Sequence, residues 1–108
     1  MPQQETTEGV VNVKGMVLEV QKSRLKKNGS AEIHLTPKET KLMALLMKNI
    51  GKVVSRNQLM QEVWETEYVG DTRTLDVHIC WLRQKIEDNP RIPEYILTRR
   101  GQGYELRL

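Results

Sequence analysis

Arg73, Thr74, Val77, Cys80, Trp81 and Gln84 lie within a short stretch that also carries Leu75, Ile79, Leu82 and Ile86. The second set follows the period of one helical stripe, at i, i+4, i+7 and i+11. At about 100° per residue these four fall within about 60° of one another, which marks a side turned to a core. The first set lies opposite, with Trp81 and Thr74 somewhat to one side. It combines a guanidinium, an amide, a hydroxyl, a thiol and apolar groups. Arginine and glutamine make paired hydrogen bonds to base edges and valine methyls contact a thymine methyl, so the mixture suits the floor of a DNA major groove. Acids are scarce on this side until Glu87 and Asp88, where the helix would leave such a groove. Trp81 fits a second reading equally well, packed against the hairpin or another subunit, because a large aromatic buries readily.

The charge pattern supports a polyanionic partner. The chain of 108 residues has a formal net charge of +3, unevenly spread. Lys22, Arg24, Lys26 and Lys27 face only Glu32 within 21–35. Lys38, Lys41, Lys48, Lys52 and Arg56 face only Glu39 within 36–57. Glu62, Glu65 and Glu67 are the only charges of 58–70. Arg91, Arg99, Arg100 and Arg107 outnumber Glu94 and Glu105 in the tail. A basic surface with one acidic island suggests a nucleic acid on one side and a different contact on the other.

Other chemistries lack their groups. His34, His78 and Cys80 do not supply a third and fourth metal ligand at suitable spacing. "RRGQG" has no phosphate-binding lysine and no following helix, so its glycines read as a tight turn. No nucleophile has a defensible base beside it, so neither a catalytic site nor a cofactor is predicted. No run of about 20 apolar residues is present, nor a secretory leader. One cysteine forms no internal disulfide, which fits a reducing cytoplasm. The 22–27 cations also fit a solvated strand edge.

The elements that must position the polar face follow from period and punctuation. "MPQQETTEG", residues 1–9, lacks apolar periodicity and reads as a flexible leader or linker remnant. "VVNV", "MVLEV", "SRLKK" and "AEIHL" read as four short antiparallel strands before residue 36, with Asn28-Gly29 as a turn. "TPKE" starts a helix: Thr36 caps, Pro37 takes the first helical position and Glu39 closes a capping box. Gly51 ends it. "SRNQ" at 55–58 starts a second helix that ends near Trp64. A third runs from Asp71 or Thr72 to about Asn89, where Pro90 and Pro93 forbid continuation. "YILTRR", "GQG" and "YELRL" form a hairpin. The fold class predicted is α+β by content, although such folds are often grouped with all-α three-helix DNA-binding domains. It is a winged helix-turn-helix with an N-terminal antiparallel four-stranded sheet and a C-terminal β-hairpin wing, occupying residues 10–108.

"LTPKE", "GKVVSRNQLMQEVW", "DTRTLDVHICWLRQKIE" and "ILTRRGQGYEL" together resemble the C-terminal DNA-binding effector domain of OmpR/PhoB-type response regulators over roughly residues 10–108. The resemblance implies a recognition helix at about 72–89 in the major groove and a wing at about 95–108 in the minor groove. It places Arg73, Thr74, Val77, Cys80, Trp81, Gln84 and, from the wing, Arg100 on bases. It places Trp64, His78, Arg83, Thr98 and Tyr104 on phosphates. It assigns Glu65, Thr66, Glu67, Tyr68, Val69, Gly70 and Asp71 to a loop that touches RNA polymerase. It further implies a phosphorylatable receiver domain in the parent protein, head-to-tail pairing on direct-repeat sites, and a monomer when the domain is isolated. Members often carry a basic residue where this chain has Cys80, and a thiol supplies no ionic contact to guanine or phosphate. A different class of function remains open: a protein-docking module that uses the acidic loop and the Val77/Trp81 patch.

Overall fold

The computed structural model of the chain describes residues 4–7, 9–27, 31–65 and 73–108. An antiparallel sheet comes first. Its strands are β1 (Gln4–Thr7), β2 (Val10–Val13), β3 (Met16–Glu19), β4 (Arg24–Lys27) and β5 (Ile33–His34), neighbours in that order. Strands β2 to β5 are the four predicted. β1 is an addition that falls in the stretch read as a leader, and it pairs Gln4 with Val13 and Thr7 with Val10. Edge pairing is made by backbone hydrogen bonds, so a polar "QETT" leaves no alternation to detect. The predicted turn at Asn28-Gly29 lies outside the described residues. Along β2, β3 and β4 the inward positions are Val11, Val13, Met16, Leu18 and Leu25, all buried.

The sheet covers α1 (Pro37–Lys48), which also meets α2 (Arg56–Trp64), α3 (Arg73–Ile86) and the last strand. α1 begins as its sequence predicts. Thr36 Oγ1 accepts the Glu39 N–H at 3.2 Å and Glu39 Oε1 accepts the Thr36 N–H at 2.8 Å, satisfying two helix-end donors reciprocally. Glu39 is nonetheless 1% exposed, and its second partner is the Lys85 ammonium of α3. Ser55 caps α2 by accepting the Gln58 N–H at 3.1 Å, and Glu65 ends that helix in the left-handed region at φ 53°.

α3 stops at Ile86 rather than near Asn89. The cause is Glu87, whose buried carboxylate accepts the backbone N–H groups of Glu94, Tyr95 and Ile96 at 2.8–3.1 Å. Those bonds draw the chain out of the helix before Pro90 is reached. The predicted start of α3 at Asp71 or Thr72 lies outside the described residues.

The wing is a three-stranded sheet rather than a lone hairpin. β7 (Ile96–Arg99) and β8 (Gly103–Leu106) form the hairpin, and β6 (Val53–Ser55) pairs with the other side of β8. "VVS" is too short to show alternation, and its Ser55 doubles as the α2 cap, so periodicity gives no sign of it. β6 fixes the wing to the start of α2. The close pairing needs Gly103, which is buried opposite Ser55. A Cβ there would fall inside the contact radius of the Val54 carbonyl oxygen. Gly101, at φ 74° in the hairpin turn, has nothing within 4 Å of such a Cβ. Gly103→Ala is therefore expected to lower stability by roughly 2 kcal/mol or more through overpacking, whereas Gly101→Ala meets only the left-handed backbone cost of about 1 kcal/mol. Urea denaturation of the two variants checks the order; equal losses would contradict it.

Candidate nucleic-acid interface

Side chains of α3 separate cleanly by direction. Leu75, Ile79, Leu82 and Ile86 are at most 1% exposed. Arg73, Thr74, Val77, Cys80, Trp81 and Gln84 are all exposed, with Val77 at 43% and Trp81 at 47%. The structure thus brings together on one face the six α3 residues assigned to bases. Trp81 is exposed and lies outside the core cluster, with its ring beside that of His78.

The two flanks of α3 are tied to different neighbours. Asp76 and Arg83, seven positions apart and so on one flank, meet the wing. The Asp76 carboxylate takes a two-pronged contact from the Arg56 guanidinium, with both N···O distances 2.7 Å. It also accepts the Tyr104 hydroxyl at 2.6 Å. Arg56 and Arg83 lie near the Tyr104 ring, their guanidinium carbons 5.9 and 5.8 Å from its centroid. Hydrogen bonding from Arg56 holds the Asp76 carboxyl below its usual 3.8, outweighing partial burial, which acts in the opposite sense. The same hydrogen bond raises Arg56. Burial first, then Asp76, pushes the Tyr104 hydroxyl above its usual 10.0.

On the other flank, His78 Nδ1 lies 2.9 Å from the Thr74 carbonyl oxygen. Its ring sits edge-on to Trp64 at 5.0 Å and tilted against Trp81 at 4.9 Å between centroids. Lys38 donates to the Val63 carbonyl at 3.1 Å and stands 5.7 Å from the Trp64 ring centroid. One aromatic row therefore runs from the end of α2 onto the outward face of α3.

The residues assigned to phosphates are not placed alike. Trp64 and His78 are half-buried at the rim of the α3 face, and Thr98 is exposed on β7. Arg83 is half-buried; its Nε and Nη2 donate to the Ile96 carbonyl at 3.1 and 2.8 Å, and Nη2 also reaches Thr98 Oγ1 at 2.8 Å. Tyr104 differs from the surface contact expected of it: it is 5% exposed, because its position on β8 turns it inward and its hydroxyl is given to Asp76. Arg100 is exposed in the wing turn, where Gln102 N–H donates to the Arg99 carbonyl at 2.8 Å. Of the proposed polymerase loop only Glu65 is described, and it is exposed; Thr66, Glu67, Tyr68, Val69, Gly70 and Asp71 lie outside the described residues.

Sequence reasoning missed Asp76, Arg56 and Glu87 as positioning groups. An ion pair between two helices twenty positions apart leaves no periodic signal, and Glu87 reads as a solvated acid until the backbone it receives is located. Among the described residues no cluster of three or more potential metal ligands occurs, and none of their helices is long and apolar enough to cross a membrane.

Three helices with α2 and α3 in sequence, a strand-built wing beside α3 and a sheet behind α1 define a winged helix-turn-helix. The sequence matches the family described as "Transcriptional regulatory protein, C terminal" over residues 30–106. The chain belongs to that family, and within it to the OmpR/PhoB type. It is 51% identical over 75 residues to the alkaline phosphatase synthesis transcriptional regulatory protein SphR of Synechococcus elongatus, a match covering 69% of this chain and 29% of that relative. The chain therefore spans under a third of that relative's length. It is similar to the DNA-binding domain of CpxR from E. coli, at 32% identity and a TM-score of 0.75, over 91% of this chain and 95% of that one. The Thermotoga maritima response regulator DrrB, an OmpR/PhoB homolog, is also 32% identical with a TM-score of 0.75, over 92% of this chain and 44% of its own.

The Asp76 tie makes a testable contribution. A depressed carboxylate stabilises the fold above its ordinary value of 3.8, and that stabilisation is lost as pH falls through the lower folded value. Because the pair is partly exposed, at 34% and 44% for the two side chains, solvent screens it. Asp76→Asn is expected to cost about 1 kcal/mol near neutral pH. The difference from the parent should shrink toward zero below the ordinary carboxylate value. Urea midpoints measured across that range check this; a difference independent of pH would refute the ion-pair account.

Proposed function

We propose that this chain is the sequence-specific, double-stranded DNA-binding domain of a two-component transcription regulator. α3 enters the major groove and the β7–β8 wing reaches the adjacent minor groove. Residues 10–108 form the DNA-binding unit. The observation that carries the reading is the outward face of α3: six exposed side chains able to meet bases, on a helix whose opposite stripe is wholly buried. Arg73 and Gln84 supply paired hydrogen bonds to base edges, with Thr74 beside them. Arg100 supplies a cation to the minor groove, where a narrow A·T-rich segment attracts it. Trp64, His78, Arg83 and Thr98 line the rim and face phosphates. These positioning contacts fix register, while the α3 face selects sequence. Tyr104 serves this arrangement indirectly by holding Asp76, and so the angle of α3 to the wing. No step of this function requires catalysis.

The rest of the reading leans on family membership. A receiver domain in the parent protein would promote head-to-tail pairing on direct repeats, and the isolated domain would bind singly. The loop from Glu65 to Asp71 would meet RNA polymerase, since its acids repel DNA and suit a basic protein surface. Binding to chromosomal DNA would be carried out in the cytoplasm.

Duplex binding measured across a salt series is the test. If about three cations neutralise phosphates, the plot of log K against log salt should fall with a slope of about −3. Replacing Arg73 and Arg100 by alanine should weaken binding at least about tenfold, from the loss of base contacts of 1–3 kcal/mol each. A flat salt plot with unchanged affinity in the double variant would favour the docking module instead.

A further inference from the structure

The middle of the outward α3 face is apolar. Val77, Cys80 and Trp81 occupy i, i+3 and i+4 and therefore adjoin one another. All three are exposed, and no charged side chain lies between them. The cations of the second half of α3 lie off this strip, tied to neighbouring elements. Lys85 pairs with the buried Glu39, and Arg83 donates to the Ile96 carbonyl and to Thr98. The Cys80 sulfur makes a weak contact with Gln84 Nε2 at 3.9 Å. The Trp81 ring rests on His78, which is held in turn by Trp64 and by the Thr74 carbonyl. A ring oriented before the partner arrives loses less freedom on binding.

We propose that Val77, Cys80 and Trp81 form a methyl-reading strip that selects thymine in the centre of the bound site. The inference rests on the DNA-binding reading and specifies what that interface recognises. The occupant is duplex DNA, because the strip is continuous with Arg73 at one end and Gln84 at the other. The Val77 methyls and the Cys80 thiol offer guanine no strong hydrogen bond, and Trp81 adds a single indole N–H at the edge of an otherwise apolar ring. In the major groove the apolar group a base pair presents is the C5-methyl of thymine. The preferred site thus has hydrogen-bonded bases at its ends and thymines between them.

The chain is first used to select duplexes from a randomised pool. Each thymine of the preferred duplex is then replaced by deoxyuridine, which keeps every hydrogen-bonding atom and lacks the methyl. At one or more central thymines the Kd should rise about fourfold per methyl removed, the ratio set by roughly 0.8 kcal/mol for a buried carbon. Val77→Ala or Trp81→Ala should abolish that penalty at the thymine it contacts while leaving the salt slope unchanged. The uracil scan uses the unaltered chain, so it does not depend on the folding of either variant. Selection without thymine at the centre, or uracil duplexes bound as tightly as the parent with salt dependence intact, overturns methyl reading alone. Loss of all salt-dependent duplex binding overturns the DNA-binding reading and this inference together.

Discussion

Burial of Leu75, Ile79, Leu82 and Ile86 is the constraint on which the rest of the molecule depends. Each such side chain contributes about 2 kcal/mol when taken out of water, whereas a partly exposed ion pair contributes about 1 kcal/mol or less. The stripe therefore decides the rotation of α3 about its own axis, and the polar contacts refine it. Once that rotation is fixed, the opposite face can point only outward. The flanks then fall where Asp76 meets Arg56 and Tyr104, and where His78 meets Trp64. The site is in this sense what the core leaves over.

Fixing the rotation does not fix the tilt of α3 against the wing, and separate devices do that. Glu87 gathers three backbone N–H groups at the entry to β7 and so joins the end of α3 to the wing. Lys85 reaches back to Glu39 of α1, the residue that also closes the α1 capping box. β6 ties β8 to the Ser55 cap of α2. A duplex spanning both the α3 face and the wing turn would demand a fixed distance between them. The polar groups spent on these ties are ones that a reading of the α3 sequence alone would assign to solvent.

The elements that carry a strong local signal could be read directly from the residues. Thr36, Pro37 and Glu39 located the start of α1, and the stripe of α3 located both its core and its exposed face. Elements held by long-range backbone pairing could not be read in this way. β1 and β6 are short, and each is specified by the edge it joins rather than by its own pattern. The end of α3 depended on the partners of Glu87, which lie seven to nine positions ahead. Tyr104 was assigned to phosphate through the family resemblance; only the register of β8 reveals that its hydroxyl is given to Asp76. Trp81 could not be placed by type, since an indole suits a core as well as a groove; at 47% exposed it lies outside the core.

The central claim is that the α3 face left free by the core, with the wing turn, is the surface that receives DNA. The most direct measurement is the change in backbone amide NMR shifts of the labelled chain as a selected duplex is added. Perturbation concentrated at Arg73, Thr74, Val77, Cys80, Trp81 and Gln84, with a second group at Arg100 and its neighbours, is the predicted result. Perturbation confined to β2 to β5, with α3 and the wing unchanged, would contradict it.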